Sequence, residues 1–487
     1  MNEATKNKLK KFLPLTILIL IIIGLFVWFL LSRRVTEEQR VTYRNHIDKA
    51  NKTFEAKNYS ESVKEYYRAL QLIPSEYDAY EGIVKILLLK NRPVDAQEML
   101  DNSGNYLSIS NKSKIQLLIG NYYYGNKQYE KAKEAYNKGI GLGVDNGNID
   151  LMLGKAYLNL GNINEARKQF EISGYKDDLL SEANLLRSYI YALTDKEKAK
   201  TAIEAITPTD RFNAYYEEFR KVLDSLDDDK KFNTTKLSRV YINNGYPYLA
   251  IELITPMIDE LSEYVDALYY IGRAYVETGQ YDKGLQILNN ALSLNGFEGH
   301  IYWNIARAYI LKNDLDATIK AYSGAINSFG KDLPDDLATE YIEHLIKNKQ
   351  YLKATESVTD ILTRVKTPRI YILGIKSNYE IKELAKIDYY LSESEKFSQT
   401  TDAEKSELLV WKIQVLLTKE SYDEVPALLE KLLDIDKYNP RYYLLAGKYS
   451  LAKGETDSAK DFFEKSLEYD INNSVSEEAT KLLSNIK

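Results

Sequence analysis

One short pattern returns about every 34 residues through most of the chain, and this internal repeat limits the possible folds more than any other feature. Each copy has a turn residue, an aromatic residue and small residues at fixed distances. Four copies show it clearly: Lys57–Pro74, Asn126–Gly143, Gly279–Gly296 and Gly454–Asp470. Because one copy is too short to bury a core alone, the pattern predicts a linear stack in which each copy packs on its neighbours.

The small residues of the pattern predict two closely packed helices in each copy. One set lies late in the first helix, at Ala50, Gly120, Gly154, Ser238, Gly272, Ala306 and Gly447. A second set follows twelve residues later, at Ser62, Ala132, Ala166, Ala250, Gly284, Thr318 and Ala459. Large side chains, many of them Tyr, lie between the small ones. We expect their rings to fill the core and their hydroxyls to reach its edge.

This pattern resembles the tetratricopeptide repeat, a helix–turn–helix unit, and the resemblance extends from about Tyr43 to Asp470. It implies an all-α fold, a right-handed superhelix (α-solenoid) of about twelve helix pairs. Two wider spacings of the small residues indicate irregular regions. One holds an extra helix before Lys230, and the other holds a degenerate repeat near residues 369–397.

These spacings divide the chain into seven predicted segments. They are a basic tail (1–11), a transmembrane helix (12–31), a juxtamembrane linker (32–42), five repeats (43–207), an extra helical insertion (208–230), seven further repeats (231–472) and a capping helix (473–487).

The segment from Phe12 to Leu31 contains no charged residue and predicts one membrane span. At about 1.5 Å rise per residue its length matches the ~30 Å hydrocarbon core of a bilayer. A cleaved signal peptide is the alternative, but the run is long for one and no small-residue cleavage site follows it. We therefore expect a single-pass cell membrane protein whose N-terminus is cytoplasmic and whose repeats are extracytoplasmic.

Composition excludes several function classes. The net charge is −6, and because residues 1–34 carry +5, the remainder carries −11, which argues against binding of nucleic acid. The chain has no Cys and only three His, without ligand spacing, so we predict neither metal nor cofactor. Phosphate-binding and hydrolase motifs are also missing from the sequence, and we predict no catalytic residues and no enzymatic activity.

The resemblance also indicates where a ligand would bind, because the first helices of such repeats build the concave wall. In such repeats the ninth position of the first helix commonly faces this wall. Here it is occupied by an arginine in three successive repeats, Arg239, Arg273 and Arg307. The fifth position of the first helix is occupied by Tyr269 and Trp303. The ninth position also gives Asn121, Lys155, Gln414 and Lys448. The arginines predict a cationic ladder that binds carboxylates or phosphates. The alternative is that each pairs with an acidic residue of the adjacent repeat.

The chain also resembles single-span, membrane-anchored tetratricopeptide repeat proteins of bacterial envelopes. This resemblance implies a membrane-tethered scaffold that binds partner proteins or peptides in its concave groove, in envelope assembly, secretion or quality control. Two alternatives are an accessory or regulatory subunit that recruits a membrane enzyme and a cell-wall polymer-binding protein. Asn121 and Lys155 match part of the clamp that binds chaperone tails, but the rest of that set is missing. The sequence specifies neither the partner nor the oligomeric state.

Overall fold

The computed structural model describes residues 35–143, 147–176, 181–206, 213–294, 296–398, 400–471 and 473–486. These residues form α-helices and two short 3-10 helices, without strands, so the predicted all-α class is confirmed. The predicted transmembrane helix, residues 12–31, lies outside the described residues. Within them, no helix combines the length and the apolar character that a membrane span requires.

The chain divides into two compact bodies, Met1–Ser108 and Ile109–Lys487. The N-terminal body holds repeats 1 and 2. Its helices are α1 (Glu37–Glu55), α2 (Tyr59–Leu72), α3 (Tyr77–Leu89) and α4 (Pro93–Asn102).

The C-terminal body holds repeats 3 to 12 in its described part. Repeats 3 to 5 are α5 (Ile109–Gly125) with α6 (Tyr129–Gly141), α7 (Gly147–Asn159) with α8 (Ile163–Lys176), and α9 (Ser181–Tyr191) with α10 (Lys196–Glu204). One additional helix, α11 (Asn213–Asp224), comes next and lies within the predicted insertion.

The remaining helices follow in the same alternation. Repeats 6 to 9 are α12 (Lys230–Asn243) with α13 (Pro247–Ile254), α14 (Val265–Glu277) with α15 (Tyr281–Leu292), α16 (Glu298–Leu311) with α17 (Leu315–Phe329), and α18 (Asp335–Lys347) with α19 (Tyr351–Ile361). Repeats 10 to 12 are α20 (Pro368–Glu380) with α21 (Leu384–Ser394), α22 (Asp402–Thr418) with α23 (Val425–Ile435), and α24 (Pro440–Ala452) with α25 (Thr456–Tyr469); α26 (Ser476–Asn485) ends the chain.

Glycine at the predicted crossing points lets the two helices of a repeat approach closely. A Cβ atom built on Gly154 would lie 2.4 Å from the ring of Phe170, and one on Gly447 would lie 2.5 Å from the ring of Phe463. Both rings are fully buried. The aromatic ring of the second helix therefore packs directly on the backbone of the first, which is the close approach that the spacing of small residues predicts.

Repeat 1 buries a carboxylate among three basic side chains. Glu65 has no exposed side-chain surface and lies 2.6 Å from Lys49 Nζ and 2.5 Å from His46 Nδ1, and Arg68 makes a third contact. Burial alone would raise the pKa of Glu65. The hydrogen bonds from Lys49 and His46 and the charge of Arg68 together outweigh burial and lower this pKa to about 2.

We expect Glu65 to make the N-terminal body sensitive to acid. Its pKa is 4.5 without these contacts and about 2 in the fold. The ionised carboxylate therefore stabilises the fold above the higher value, and this contribution is lost as the pH falls toward the lower one. Thermal unfolding, followed by circular dichroism across that window, should show a smaller loss of stability for Glu65→Gln than for the wild type. Glu55→Gln, at the exposed end of α1, should follow the wild type, and parallel profiles for all three proteins would contradict the prediction.

Candidate partner-binding groove

The predicted binding residues all lie on first helices of repeats in the C-terminal body. Asn121 lies on α5, Lys155 on α7, Arg239 on α12, Tyr269 and Arg273 on α14, and Trp303 and Arg307 on α16. The structure places them in three different surroundings, which are described in turn.

Arg307 is held by an acidic residue of the next repeat. Its guanidinium binds both carboxylate oxygens of Glu340 on α18, at 2.7 and 3.0 Å, and lies 4.4 Å from the centroid of the Trp303 ring. Tyr322 donates a further hydrogen bond to Glu340 at 2.8 Å. Burial would raise the pKa of Glu340, but these hydrogen bonds outweigh it and lower the pKa. Arg307 thus follows the alternative reading, in which an arginine pairs with a neighbouring acid.

The other two arginines differ from Arg307. Arg273 pairs with Glu277 of its own helix at 2.6 Å and donates to Asn243 at 3.3 Å. Arg239 is exposed and has no hydrogen bond or ion pair with any described residue. The three arginines therefore do not form a ladder of free cations, because Glu277 and Glu340 neutralise two of them.

Tyr269 belongs to the packed interior. Only 7% of its surface is exposed, its ring stacks on Phe297 with centroids 5.8 Å apart, and its hydroxyl accepts a hydrogen bond from Asn304. Asn121 also has an internal partner, since its Oδ1 accepts a hydrogen bond from the hydroxyl of Tyr136 at 2.9 Å. A ligand that binds Tyr269 would break its contacts with repeat 8. Asn121 is exposed, and its carboxamide oxygen is already engaged within its own repeat.

Repeat 6 packs against repeats 4 and 5, and we call this contact the cover. Helix α13 packs against α7, and a Cβ atom built on Gly161 would lie 2.8 Å from the ring of Tyr248. The turn residue Tyr246 is buried, 6.0 Å from Tyr189 between ring centroids. Lys155 lies under this cover, with a 2.6 Å ion pair to Glu182 and a side chain that is only 17% exposed.

The other end of the body has an open region over its first helices. A cavity of about 380 Å³ opens over the first helices of repeats 10, 11 and 12 and is bounded by the capping helix α26. We call it the C-terminal groove. Its lining residues are Lys376, Tyr379, Glu380, Val410, Trp411, Gln414, Arg441, Leu444, Leu445, Lys448, Ser474, Val475 and Glu478.

Local sequence signals position the three helices of the C-terminal groove. Helix α20 begins at Pro368 after the N-cap Thr367, and α24 begins at Pro440 after the N-cap Asn439. Helix α22 begins with a capping box in which the Thr401 hydroxyl accepts from the Glu404 backbone N–H and the Glu404 carboxylate accepts from the Thr401 backbone N–H. These caps fix where each helix starts and therefore which residues face the groove.

A chain of hydrogen bonds crosses the floor of the C-terminal groove. Gln414 donates to the hydroxyl of Tyr379 at 2.8 Å, Lys448 donates to the Gln414 carbonyl at 3.1 Å, and Lys448 pairs with Glu478 at 2.6 Å. The indole Nε1 of Trp411 is buried and has no hydrogen-bond partner. The groove thus has an ordered polar floor beside a buried indole whose N–H is unpaired.

The described residues contain no metal-binding arrangement. No group of three or more His, Asp or Glu among them is arranged to hold a metal ion. What the C-terminal groove offers is shape, aromatic surface and hydrogen-bonding groups.

Comparison with known proteins identifies the repeats. Two sequence profiles described as the tetratricopeptide repeat match residues 113–142, 151–171, 266–295 and 440–473. These segments fall in repeats 3, 4, 7 and 12. The chain carries tetratricopeptide repeats. No curated protein sequence matches the chain significantly.

Several solved structures share the helical-repeat architecture at low identity. A tetratricopeptide repeat protein from Parabacteroides merdae is 18% identical over 53% of this chain and 99% of its own, with a TM-score of 0.36. The APC/C hetero-tetramer Cut9-Hcn1 is 11% identical over 90% and 95%, with a TM-score of 0.34. PilF from Pseudomonas aeruginosa is 16% identical over 46% and 98%, with a TM-score of 0.34. At these TM-scores the matches say nothing about the function of this chain.

The tetratricopeptide repeat pattern predicted two residues of the C-terminal groove but not the others that line it. The ninth helix position includes Gln414 and Lys448, both of which line the cavity. Tyr379 and Trp411 were missed because repeats 10 and 11 depart from the small-residue pattern that numbers the helix positions. Arg441 was missed because it is the second residue of α24, ahead of the fifth and ninth positions. The capping helix supplied no signal beyond its position, yet Glu478 closes one side of the groove.

Proposed function

We propose that this chain is a membrane-tethered tetratricopeptide scaffold that binds a segment of a partner protein in its C-terminal groove, in envelope assembly, secretion or quality control. The observation that carries the proposal is the C-terminal groove itself: three successive inner helices present Tyr379, Gln414 and Lys448 around an open cavity. Lys155, in contrast, lies on a first helix that repeat 6 packs against, and its side chain is only 17% exposed.

The function proposed here is binding rather than catalysis. The sequence lacks the catalytic motifs named above, and its acidic composition disfavours nucleic acid as a partner. A tether would raise the concentration of the groove near partners at one membrane face. We propose that residues 12–31 form this tether, with the N-terminus cytoplasmic and the repeats extracytoplasmic. An active alkaline phosphatase fused to the carboxyl terminus would support this orientation, and an inactive fusion with a normal expression level would refute it.

Site-specific photo-crosslinking tests the groove. A photoreactive phenylalanine analogue replaces Tyr379 on α20, and the matched control carries it at Tyr389 on α21, a tyrosine of the same repeat that is 56% exposed. After irradiation of intact cells, we expect a discrete adduct from position 379 that position 389 does not give. Equal adduct patterns at both positions, or none at 379, would refute the groove as the binding surface.

The identity of the crosslinked protein separates two forms of the proposal. A structural or secreted protein in the adduct supports an assembly scaffold, and a membrane enzyme in the adduct makes this chain an accessory subunit of that enzyme.

A further inference from the structure

We infer that the C-terminal groove selects an acidic segment of the partner, and that the capping helix competes for the same site through Glu478. This inference rests on the proposed function and adds the chemistry of the ligand and a means of regulating access. It concerns the three basic side chains that line the groove, Lys376, Arg441 and Lys448.

Two of these cations lack an internal counter-charge. Lys376 and Arg441 have no hydrogen bond or ion pair through their side chains with any described residue, although the chain as a whole carries a net charge of −6. Some other basic side chains on the inner face pair with acidic residues, as Arg369 does with Glu343 and Glu407. Cations that line a cavity without partners attract an anionic ligand, because complementary charge both steers and orients its approach.

The third cation already binds a carboxylate. Lys448 lies 2.6 Å from Glu478 of α26, and the Glu478 side chain remains 52% exposed. Glu478 therefore occupies the position that a carboxylate of a bound segment would take. Because the Glu478 carboxylate is half exposed, solvent screens the ion pair and limits its contribution, and a ligand with several carboxylates can displace it.

The capping helix is attached independently of Glu478. Asp470 accepts hydrogen bonds from the backbone N–H of Val475 and from the hydroxyls of Ser474 and Ser476, at 2.7 to 2.8 Å. Ala479 is fully buried against the last repeat. Release of Glu478 from Lys448 thus leaves α26 in place, and the side chain can act as a movable gate on a fixed helix.

The charges of the groove define the ligand. Lys376 and Arg441 both line the cavity, and complementary charge favours carboxylates. The inferred ligand is therefore an extended, carboxylate-rich peptide, held by Lys376 and Arg441.

A direct binding measurement with the full chain in detergent tests the inference. The probe is a rhodamine-labelled peptide of alternating Glu and Gly, and the control probe has Gln in place of each Glu. Fluorescence anisotropy should show binding of the Glu probe only. Removal of the competing charge in Glu478→Gln should tighten binding of the Glu probe about two- to fivefold. This fold-change corresponds to the free energy of a solvent-screened ion pair.

Charge-reversal variants locate the site. The double variant Lys376→Glu with Arg441→Glu should weaken binding at least about tenfold, and the neutral double variant with Gln at both positions should give an intermediate loss. The matched control reverses Lys460 and Lys465, two exposed lysines on α25, and should bind as the wild type does. Circular dichroism confirms that each variant is folded.

Three outcomes would overturn the inference. Equal binding of the Glu and Gln probes, or binding of neither, rejects an acidic ligand. Equal losses in the groove and control variants reject the groove as its site. Unchanged affinity in Glu478→Gln rejects competition by the capping helix. A crosslink at Tyr379 can still succeed in each case, so failure here is distinguishable from failure of the proposed function.

Discussion

Replacing Phe219 with Ala is expected to cost about 3–5 kcal/mol of unfolding free energy, the usual range for a fully buried aromatic ring. Phe219 lies on the extra helix α11 and has no exposed surface. Its ring centroid is 4.4 Å from that of Tyr189 in repeat 5 and 6.4 Å from that of Tyr241 in repeat 6. The substitution removes the ring that joins these two repeats and leaves a cavity between them.

The consequences of Phe219→Ala should extend beyond α11. The Tyr241 hydroxyl donates to the Tyr189 backbone carbonyl at 2.9 Å, and this hydrogen bond depends on the packing of both rings. Stability in repeat proteins is largely a sum of contacts between neighbouring repeats. If the junction between repeats 5 and 6 is weakened, the repeats before it and the repeats after it should therefore unfold at different urea concentrations. Urea denaturation followed by circular dichroism should show a lower midpoint and a broader or split transition.

The matched control for this prediction is Phe232→Ala. Phe232 lies on the adjacent helix α12, is 43% exposed and contacts Lys236 through its ring. Its loss should cost less than about 1 kcal/mol. If both variants shift the urea midpoint equally, α11 is not the junction that its packing indicates.

Replacing Gly154 with Ala is expected to destabilise the chain, although Gly→Ala within a helix is usually stabilising. The new methyl group would lie 2.4 Å from the ring of Phe170, which is fully buried and cannot move aside. Overpacking of this kind costs about 1–3 kcal/mol. Denaturant midpoints should therefore fall relative to the wild type.

The same change at Gly125 should have the opposite sign. Gly125 is the last residue of α5, and a Cβ atom there would have no neighbour within 4 Å. Gly125→Ala should stabilise by about 0.4–1 kcal/mol, because it restricts the unfolded chain without a clash. If both substitutions change the unfolding free energy in the same direction, the two helices of repeat 4 pack less closely than the structure indicates.

The candidate site was only partly predictable because the surroundings of its residues come from other repeats. Arg307 and Trp303 are brought together as their spacing suggests, but Glu340 comes from the next repeat and neutralises the arginine. Lys155 is correctly on a first helix, yet its side chain is covered. A helix position predicts which way a residue faces and does not predict what lies opposite.

The sequence by itself determined the helix pairs, because their signals are local. The small residue of one helix and the ring of the next are separated by about half a repeat, as in Gly447 and Phe463, so the contact follows from spacing alone. The caps that begin α20, α22 and α24 are equally local.

Tertiary structure alone decided which candidate residues are covered and which line an open groove. The cover on repeats 4 and 5 joins Gly161 with Tyr248, and the gate of the C-terminal groove joins Lys448 with Glu478. Such contacts depend on the rotation between successive repeats and, at the cover, on the insertion of α11. These angles accumulate along the chain, and the repeat pattern does not encode them, so the availability of a binding residue is a property of the stacked structure.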